Sequence, residues 1–205
     1  MKPTRVFLLS PAHCGGKRAG YLLNDSATFE LARRVREAQG ATLADVFTFL
    51  SGLYFRGKVA YSTAFAAPPT GVAGSLVITT NRGLVPADTR ISVADLRDMG
   101  GVDIECDDPR YRWPLARDAR TLAKRGDVDQ VILLGSVATG KYVDVLLDAL
   151  GDRLHFPAEF VGRGDMSRGG LMLRCATEGR ELTYVPVAGA VRRGQRPPKL
   201  EPRKP

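Results

Sequence analysis

Residues 131–141 read VILLGSVATGK, an apolar run that changes abruptly into a loop of glycine, small hydroxyl residues and one lysine. The run has the length of one buried strand, and the residues after it are typical of a strand-to-helix connection. In an α/β protein such a loop leaves the carboxyl end of a parallel strand, at the edge of the sheet where ligands bind. The stretch therefore predicts an α/β fold with a site at that edge.

The same change of composition occurs twice more in the chain. VFLL at 6–9 runs into SPAHCGGKR at 10–18, and LVI at 76–78 runs into TTNRG at 79–83. Because the carboxyl ends of parallel strands meet at one edge, the three loops are expected to collect backbone N–H groups and cations in one crevice, which suits an anionic ligand. The candidate binding residues in these loops are Ser10, Lys17, Arg18, Asn81, Arg82, Gly135, Ser136 and Lys141.

The loop at 135–141 has the spacing of a phosphate-binding P-loop between a strand and a helix. The next residue is Tyr142, where a P-loop has a Ser or Thr that binds magnesium. Three interpretations stay open: nucleoside triphosphate hydrolysis, a contact to a phosphate or nucleobase, and a plain strand-to-helix turn.

The order of predicted elements favours a mixed or mainly parallel sheet with helices packed on it. Strands are predicted at 5–9, 75–80 and 127–134. Helices are predicted at 26–39, from Thr42 to Leu53, at 92–97, at 113–125 and at 142–150, with Thr42 and Ser92 as N-terminal caps. We expect one α/β domain over residues 1–193 and a disordered basic tail over 194–205.

The net charge of +8 is concentrated at the end of the chain. Residues 192–205 contain six cations and one carboxylate, so they carry +5 of it. The three cysteines are far apart, which disfavours a disulfide framework and favours a cytoplasmic location. No run reaches the roughly 20 apolar residues of a membrane span. No metal-ligand spacing occurs among the Cys and His residues, and no cofactor is predicted.

Two further segments have alternative interpretations. Residues 54–58 (YFRGK) interleave aromatics with cations, as in surfaces that stack on bases, or form a helix turn with buried rings and solvated cations. Asp103, Glu105 and Asp107 alternate as on one face of a strand, and are interpreted as a solvated acidic edge rather than a metal site.

The segment 162–170 (GRGDMSRGG) is the densest glycine and arginine cluster of the chain. It is interpreted as functional, with Arg163 and Arg168 binding phosphate and Asp165 acting as an acid or base. The alternative is a tight hairpin entry. A reactive pair of His13 and Cys14 in the first loop is a weaker candidate for nucleophilic catalysis.

Several of these segments resemble the bacterial peroxide-stress-resistance family called YaaA-like, and a related group with a "SAKYGLV" signature. The resemblance rests on 8–12, 83–89, 135–142 and 166–168. It implies a nucleic acid or nucleobase as ligand. The positions that match its motifs are Ser10, Asn81, Asp88, Ser136, Tyr142, Ser167 and Arg168. The lysine that follows Ser-Pro-Ala in the family is His13 in this chain.

The leading hypothesis is a protein that binds DNA or tRNA through the crevice loops and the basic tail, with nucleobase or glycosidic-bond chemistry left open. Lys17, Arg18, Lys141, Arg163 and Arg168 would hold phosphates, Tyr142 would stack on a base, and Asp88 or Asp165 would be the acid or base. The main alternative is a small-molecule enzyme acting on a nucleotide or nucleoside. A third is an interaction module whose tail binds an acidic partner.

Overall fold

A six-stranded sheet forms the centre of the fold in this computed structural model, which describes residues 3–105, 107–198 and 200. The strands are β1 (Arg5–Leu9), β2 (Ala41–Thr42), β3 (Ser75–Ile78), β4 (Leu84–Pro86), β5 (Arg90–Ile91), β6 (Gln130–Leu134), β7 (Leu154–Pro157) and β8 (Tyr184–Pro186). The helices are α1 (Lys17–Leu23), α2 (Glu30–Arg36), α3 (Leu43–Ser51), α4 (Leu53–Phe65), α5 (Val93–Gly100), α6 (Pro109–Ala123), α7 (Gly140–Leu150) and α8 (Asp165–Glu178).

The sheet is mainly parallel, which confirms the predicted α/β class. Its strand order is β4-β3-β1-β6-β7-β8. The four inner strands are parallel, and the outer strands β4 and β8 pair antiparallel to their neighbours. Strands β2 and β5 form a separate antiparallel pair.

The register brings three strand ends to one level. Leu9 of β1 lies opposite Val77 of β3 on one side and Leu134 of β6 on the other. The loops that follow these three strands therefore start at the same edge, which we call the carboxyl edge.

The alternating side chains of β1 divide the core into two layers. Phe7 and Leu9 pack into the layer that contains α3, α4 and α8. Val6 and Leu8 face the opposite layer, which contains α6 and α7. Because successive strand residues point to opposite faces, one apolar run serves both layers.

Helices α4 and α8 approach each other closely through two glycines. A Cβ atom on Gly57 would lie 2.6 Å from the Gly169 carbonyl oxygen, and one on Gly169 would lie 2.7 Å from the Leu53 carbonyl oxygen. Only a residue without a side chain fits at either position. This approach brings the first turns of α8 next to α4.

Several predicted boundaries were wrong. The helix predicted from Thr42 to Leu53 ends at Ser51, because Gly52 takes a φ of 63° and starts a second helix. Residues 165–178 form α8, so the alternative interpretation of 162–170 as a hairpin entry does not apply. The helix predicted from Trp113 begins four residues earlier, since Asp108 caps it and Pro109 occupies its first turn. Residues 103–105 are not in a strand; Cys106 lies outside the described residues.

The described part of the basic tail, 194–198 and 200, has no regular secondary structure and lies beside α8. Arg196, Pro197 and Leu200 line a cavity of about 350 Å³ together with Arg163 and Arg174. The rest of the predicted disordered tail, residues 199 and 201–205, lies outside the described residues. Over the described ranges, no helix combines the length and apolar character needed to cross a membrane.

Candidate functional site at the carboxyl edge

The chain changes direction across the sheet between β1 and β6. It leaves β1 for β3 on one side and later enters β6 on the other. In open α/β sheets a crevice forms where connections diverge in this way, and ligands bind there. Ser10 follows β1 at this point, and Gly135 and Ser136 follow β6.

Lys58 lies at this point although it was not predicted as a site residue. Its side chain is fully buried on α4, and its Nζ donates to the Ser10 carbonyl oxygen at 2.9 Å and to Ser10 Oγ at 2.7 Å. Nζ also lies 4.0 Å from the centre of the Tyr54 ring. Burial lowers the pKa of Lys58 to about 7, an effect that Asp165 opposes and Arg168 reinforces.

The segment 54–58 agrees with the helix-turn alternative except at Lys58. It is helical, and the rings of Tyr54 and Phe55 are buried, as in the helix-turn alternative. Arg56 is exposed. Lys58 contradicts that alternative, because it is a buried cation instead of a solvated one.

The side chains of Ser10 and Tyr142 approach each other beside Gly135. The Tyr142 hydroxyl hydrogen-bonds the Ser10 side chain and the backbone of Ser136, and burial raises the pKa of its phenol despite these bonds. A Cβ on Gly135 would lie 2.7 Å from Ser10 Cβ and 2.9 Å from the Tyr142 hydroxyl. Gly135 is therefore needed for this approach.

Helix α8 supplies a buried arginine to the same cluster. Arg168 is 6% exposed, and its guanidinium donates to the Phe160 carbonyl oxygen at 3.1 and 3.2 Å and to Asp165 at 3.4 Å. It also lies close to the Tyr54 hydroxyl, whose pKa burial raises and Arg168 lowers. We call Ser10, Tyr54, Lys58, Tyr142, Asp165 and Arg168 the switch-point cluster.

Arg163 and Ser167 form a separate contact near the start of α8. Arg163 donates to the Glu159 carbonyl oxygen at 2.9 Å and to Ser167 Oγ at 3.1 Å. Both residues line the cavity beside the tail. Because Arg163 and Arg168 point to different partners, they do not form the shared clamp that the sequence predicted.

The other predicted cations are spread along the edge and mostly paired. Arg82 contacts Asp95 at 2.5 Å, and Lys141 contacts Glu105 at 3.0 Å. Arg18 donates to the Phe49 carbonyl oxygen at 3.2 Å, and Lys17 is exposed in the first turn of α1. They do not converge on one phosphate position.

Asp88 lies apart from the switch-point cluster. It borders a cavity of about 430 Å³ together with Thr42, Ser62 and Ser75, beside β3. This cavity contains none of the cluster residues. Of the two carboxylates predicted as acid or base, only Asp165 is brought into the cluster.

An exposed tryptophan borders a groove at the carboxyl edge. Trp113 is 72% exposed on α6, and Arg110, Arg117 and Asn81 line the same groove of about 560 Å³. The Asn81 Oδ1 atom is buried, and none of the described residues donates a hydrogen bond to it. An unpaired buried acceptor is costly, so it marks a place where a ligand donor would be favourable.

A smaller cavity of about 220 Å³ adjoins this groove through Val102. It is lined by His13, Thr80 and Lys141 but also by Asp103 and Glu105. The groove thus has an arginine-rich end at α6 and a mixed-charge end at α7.

The first-loop cysteine does not have the properties of a nucleophile. Cys14 is buried, its thiol lies 3.5 Å from the Ala12 carbonyl oxygen, and burial raises its pKa to about 12. A thiol with that pKa is protonated at neutral pH. Within the part of the chain that the structure describes, no group of three or more His, Cys, Asp or Glu residues could hold a metal ion.

Two residues were missed that local patterns could have revealed. Trp113 stands in RYRWP at 110–114, the same alternation of aromatics and cations that was noted at 54–58. Lys58 stands three and four residues from Phe55 and Tyr54 and three from Tyr61, which places it on the apolar face of a helix. A lysine in such a position either extends its ammonium group to solvent or is buried because it has a functional role.

No protein-family model, no curated protein and no solved structure matches the chain. The resemblance to the YaaA-like family therefore stays a prediction that depends on the short motifs alone.

Proposed function

We propose that the protein binds nucleic acid along the carboxyl edge, with a base stacked on Trp113. The observation that carries this proposal is the 72% exposure of the Trp113 side chain between Arg110, Arg112 and Arg117 on α6. A large exposed aromatic ring among cations is the surface that single-stranded nucleic acids use, because each base has a face that can stack and each phosphate needs a cation.

The arginines of α6 are held in position while their outer faces stay open. Arg110 contacts Asp108 and Arg117 contacts Asp118, both at 2.7 Å, and more than 60% of each arginine side chain is exposed. Arg112 is exposed and makes no ion pair with the described residues. Arg112 is therefore the guanidinium that a phosphate can pair with directly, and Arg117 keeps two nitrogens outside its contact with Asp118.

Charges in the adjoining cavity indicate where the phosphate backbone of the nucleic acid lies. Asp103 and Glu105 line the end of the groove near Lys141, and Glu105 already pairs with that lysine. Carboxylates there would repel phosphate. We therefore place the nucleic-acid backbone along α6, with the base edge toward the unpaired Asn81 oxygen. The resemblance to the YaaA-like family agrees with this assignment.

Trp113 provides its own assay, because it is the only tryptophan of the chain. We would titrate the protein with single-stranded DNA, duplex DNA and tRNA at two salt concentrations and follow tryptophan fluorescence. We expect quenching, with an affinity that falls steeply as salt rises. Replacing both Arg112 and Arg117 by Ala should weaken binding by about tenfold or more. Arg33→Ala, an exposed arginine on α2, is the matched control and should bind normally.

Three results would contradict the proposal. The first is the absence of quenching with every nucleic acid, and the second is an unchanged affinity in the double arginine variant. The third is quenching by free nucleotides as strong as by oligonucleotides, with little dependence on salt. That result would support the small-molecule nucleotide site instead.

A further inference from the structure

We propose that Ser10 is a nucleophile, that Lys58 is the base that takes its proton, and that the substrate is an uncharged acyl group carried on a leaving oxygen. This activity goes beyond nucleic-acid binding and uses different residues. A serine and a lysine in direct contact are one of the known arrangements for activating a hydroxyl.

The contact between the two side chains has the geometry of a proton-transfer pair. Lys58 Nζ and Ser10 Oγ are 2.7 Å apart, and Nζ also bonds the Ser10 carbonyl oxygen at 2.9 Å. In the neutral amine that the proposal requires, one N–H still donates to the carbonyl, and the contact with Ser10 Oγ reverses so that the lone pair accepts from the hydroxyl. Its second N–H faces the Tyr54 ring, whose centre is 4.0 Å away.

The surroundings of Lys58 favour its neutral form near neutral pH. The side chain is fully buried, and no carboxylate of the described residues forms an ion pair with it. The ionisable groups around it are Tyr54 on its own helix, Tyr142 on α7, and Asp165 and Arg168 on α8. Burial dominates and lowers the pKa of Lys58 to about 7. The amine can thus accept a proton without leaving its position.

The polar groups around Ser10 fit a neutral electrophile better than a phosphate. Arg168 is bonded to the Phe160 carbonyl oxygen and to Asp165, so it does not offer a free cation. Tyr142 hydrogen-bonds the Ser10 side chain and carries a neutral phenol, a donor for a developing oxyanion. Ser10 is buried, with 5% of its surface exposed, so the labelling below also tests whether a reagent reaches its hydroxyl.

The reaction balances with water as the second reactant. Ser10 Oγ forms a bond to the acyl carbon while its proton moves to Lys58 Nζ. The bond from that carbon to the leaving oxygen breaks, and the leaving oxygen takes the proton from Nζ. The water oxygen then bonds to the acyl carbon while one of its protons moves to Nζ. The bond from that carbon to Ser10 Oγ breaks, and Oγ takes the proton from Nζ as the carboxylic acid departs.

The test is labelling of the full chain with phenylmethanesulfonyl fluoride, followed by peptide mapping. The hydroxyl oxygen would form a bond to sulfur and fluoride would leave. We expect one sulfonyl group, on Ser10, and a labelling rate that rises with pH and levels off above about pH 7 to 8, as Lys58 loses its proton.

Variants separate this activity from a structural contact. Ser10→Ala should abolish the label, and Lys58→Met should slow it by about 100-fold while circular dichroism shows an intact fold. Ser62→Ala is the matched control on α4; Ser62 is buried, bonds Ser75 at 2.8 Å and lies outside the cluster. It should be labelled at the normal rate.

The proposal is overturned if Ser10 stays unlabelled in the wild-type chain at every pH, or if the rate increases tenfold per pH unit without a plateau. It is also overturned if the folded Lys58→Met variant reacts at the wild-type rate. The pH profile needs no variant, so a folding defect cannot hide the answer. Since the labelling does not involve Trp113, its failure and the failure of nucleic-acid binding are separate results.

Discussion

The environment of Lys58 departs strongly from the hydrated surroundings that a lysine side chain prefers. A buried ammonium without a carboxylate partner loses its hydration, and only two hydrogen bonds and an aromatic face replace it. Proteins rarely retain such a group in a core for stability alone. The arrangement is therefore better explained by what the amine does to Ser10 than by what it contributes to folding.

The pH dependence of stability provides a direct test of this burial. The pKa of Lys58 is about 7 in the folded chain against 10.5 when exposed, so between these values the unfolded chain binds more protons. Burial of Lys58 does not lower the free energy of unfolding above pH 10.5. As the pH falls from 10.5 toward 7, the free energy of unfolding decreases with a slope on the order of 1 kcal/mol per pH unit. Urea unfolding across this range should show that slope in the wild type and lose it in Lys58→Met.

Lys124→Met is the matched control for this experiment, because Lys124 is exposed after α6. It should keep the wild-type slope. Equal slopes in the wild type and Lys58→Met would mean that Lys58 is hydrated in solution.

Gly135 gives a second prediction at the scale of one residue. A methyl group there would lie 2.7 Å from Ser10 Cβ, so Gly135→Ala should force the strand ends apart and lower the free energy of unfolding by about 1–3 kcal/mol. Gly126→Ala has no atom within 4 Å of the new methyl and should have little effect. Denaturant titration measures the free energy of unfolding of the two variants. Equal values would show that the packing of Ser10 and Tyr142 does not require a glycine at position 135.

At the scale of elements, the pairing of α4 with α8 positions the cluster. Lys58 and Tyr54 come from α4, Arg168 and Asp165 come from α8, and the two glycines between the helices fix their distance. The opposite layer contributes Tyr142 from α7. The site therefore depends on how two helices meet more than on any single loop.

Gly169→Ala should disrupt this pairing. The added methyl would lie 2.8 Å from Tyr54 Cα, which neither helix can avoid without moving. We expect a loss of about 1–3 kcal/mol in the free energy of unfolding, partly offset by the higher helix propensity of Ala. Gly20→Ala on α1 meets no atom within 4 Å and should stabilise by about 0.5–1 kcal/mol. Thermal melts of both variants should shift in opposite directions, and shifts of the same sign would contradict this account.

Local features of the elements were predictable from the sequence, whereas contacts across the chain were not. The caps at Thr42 and Ser92 were predicted because a cap and its acceptor lie within one turn, and both are present. The contact between Lys58 and Ser10 joins residues 48 positions apart. The residues near Lys58 in the sequence do not identify Ser10 as its partner, because the contact is determined by the packing of α4 against β1.

At the scale of the whole molecule, the fold class could be predicted from the three apolar runs. Which site residues lie together in space could not be predicted from them. The runs became β1, β3 and β6, whose ends are level as expected. The cations after them were predicted to converge, but pairs with Asp95 and Glu105 hold Arg82 and Lys141 at separate places. Charge pairing is decided by neighbours in space, which a linear pattern does not contain.

The distribution of charge leads to a prediction for the tail. Ending the chain after Arg193 removes four cations and one carboxylate. If recognition belongs to the carboxyl edge, the truncated protein should show the same maximal quenching of Trp113, with a weaker dependence of affinity on salt. Loss of all quenching on truncation would instead place recognition in the tail.

The central position of β1 has a consequence for how the chain folds during synthesis. Strand β1 is synthesised before both of its partners, because residues 7–9 pair with residues 75–77 on one side and residues 5–9 pair with residues 130–134 on the other. Until the ribosome has produced the second partner, β1, whose five residues are all buried in the folded protein, has an open edge that can pair with another chain. Contacts so distant in sequence also form slowly. The time before β6 is synthesised is thus one in which an open strand edge exposes the nascent chain to aggregation.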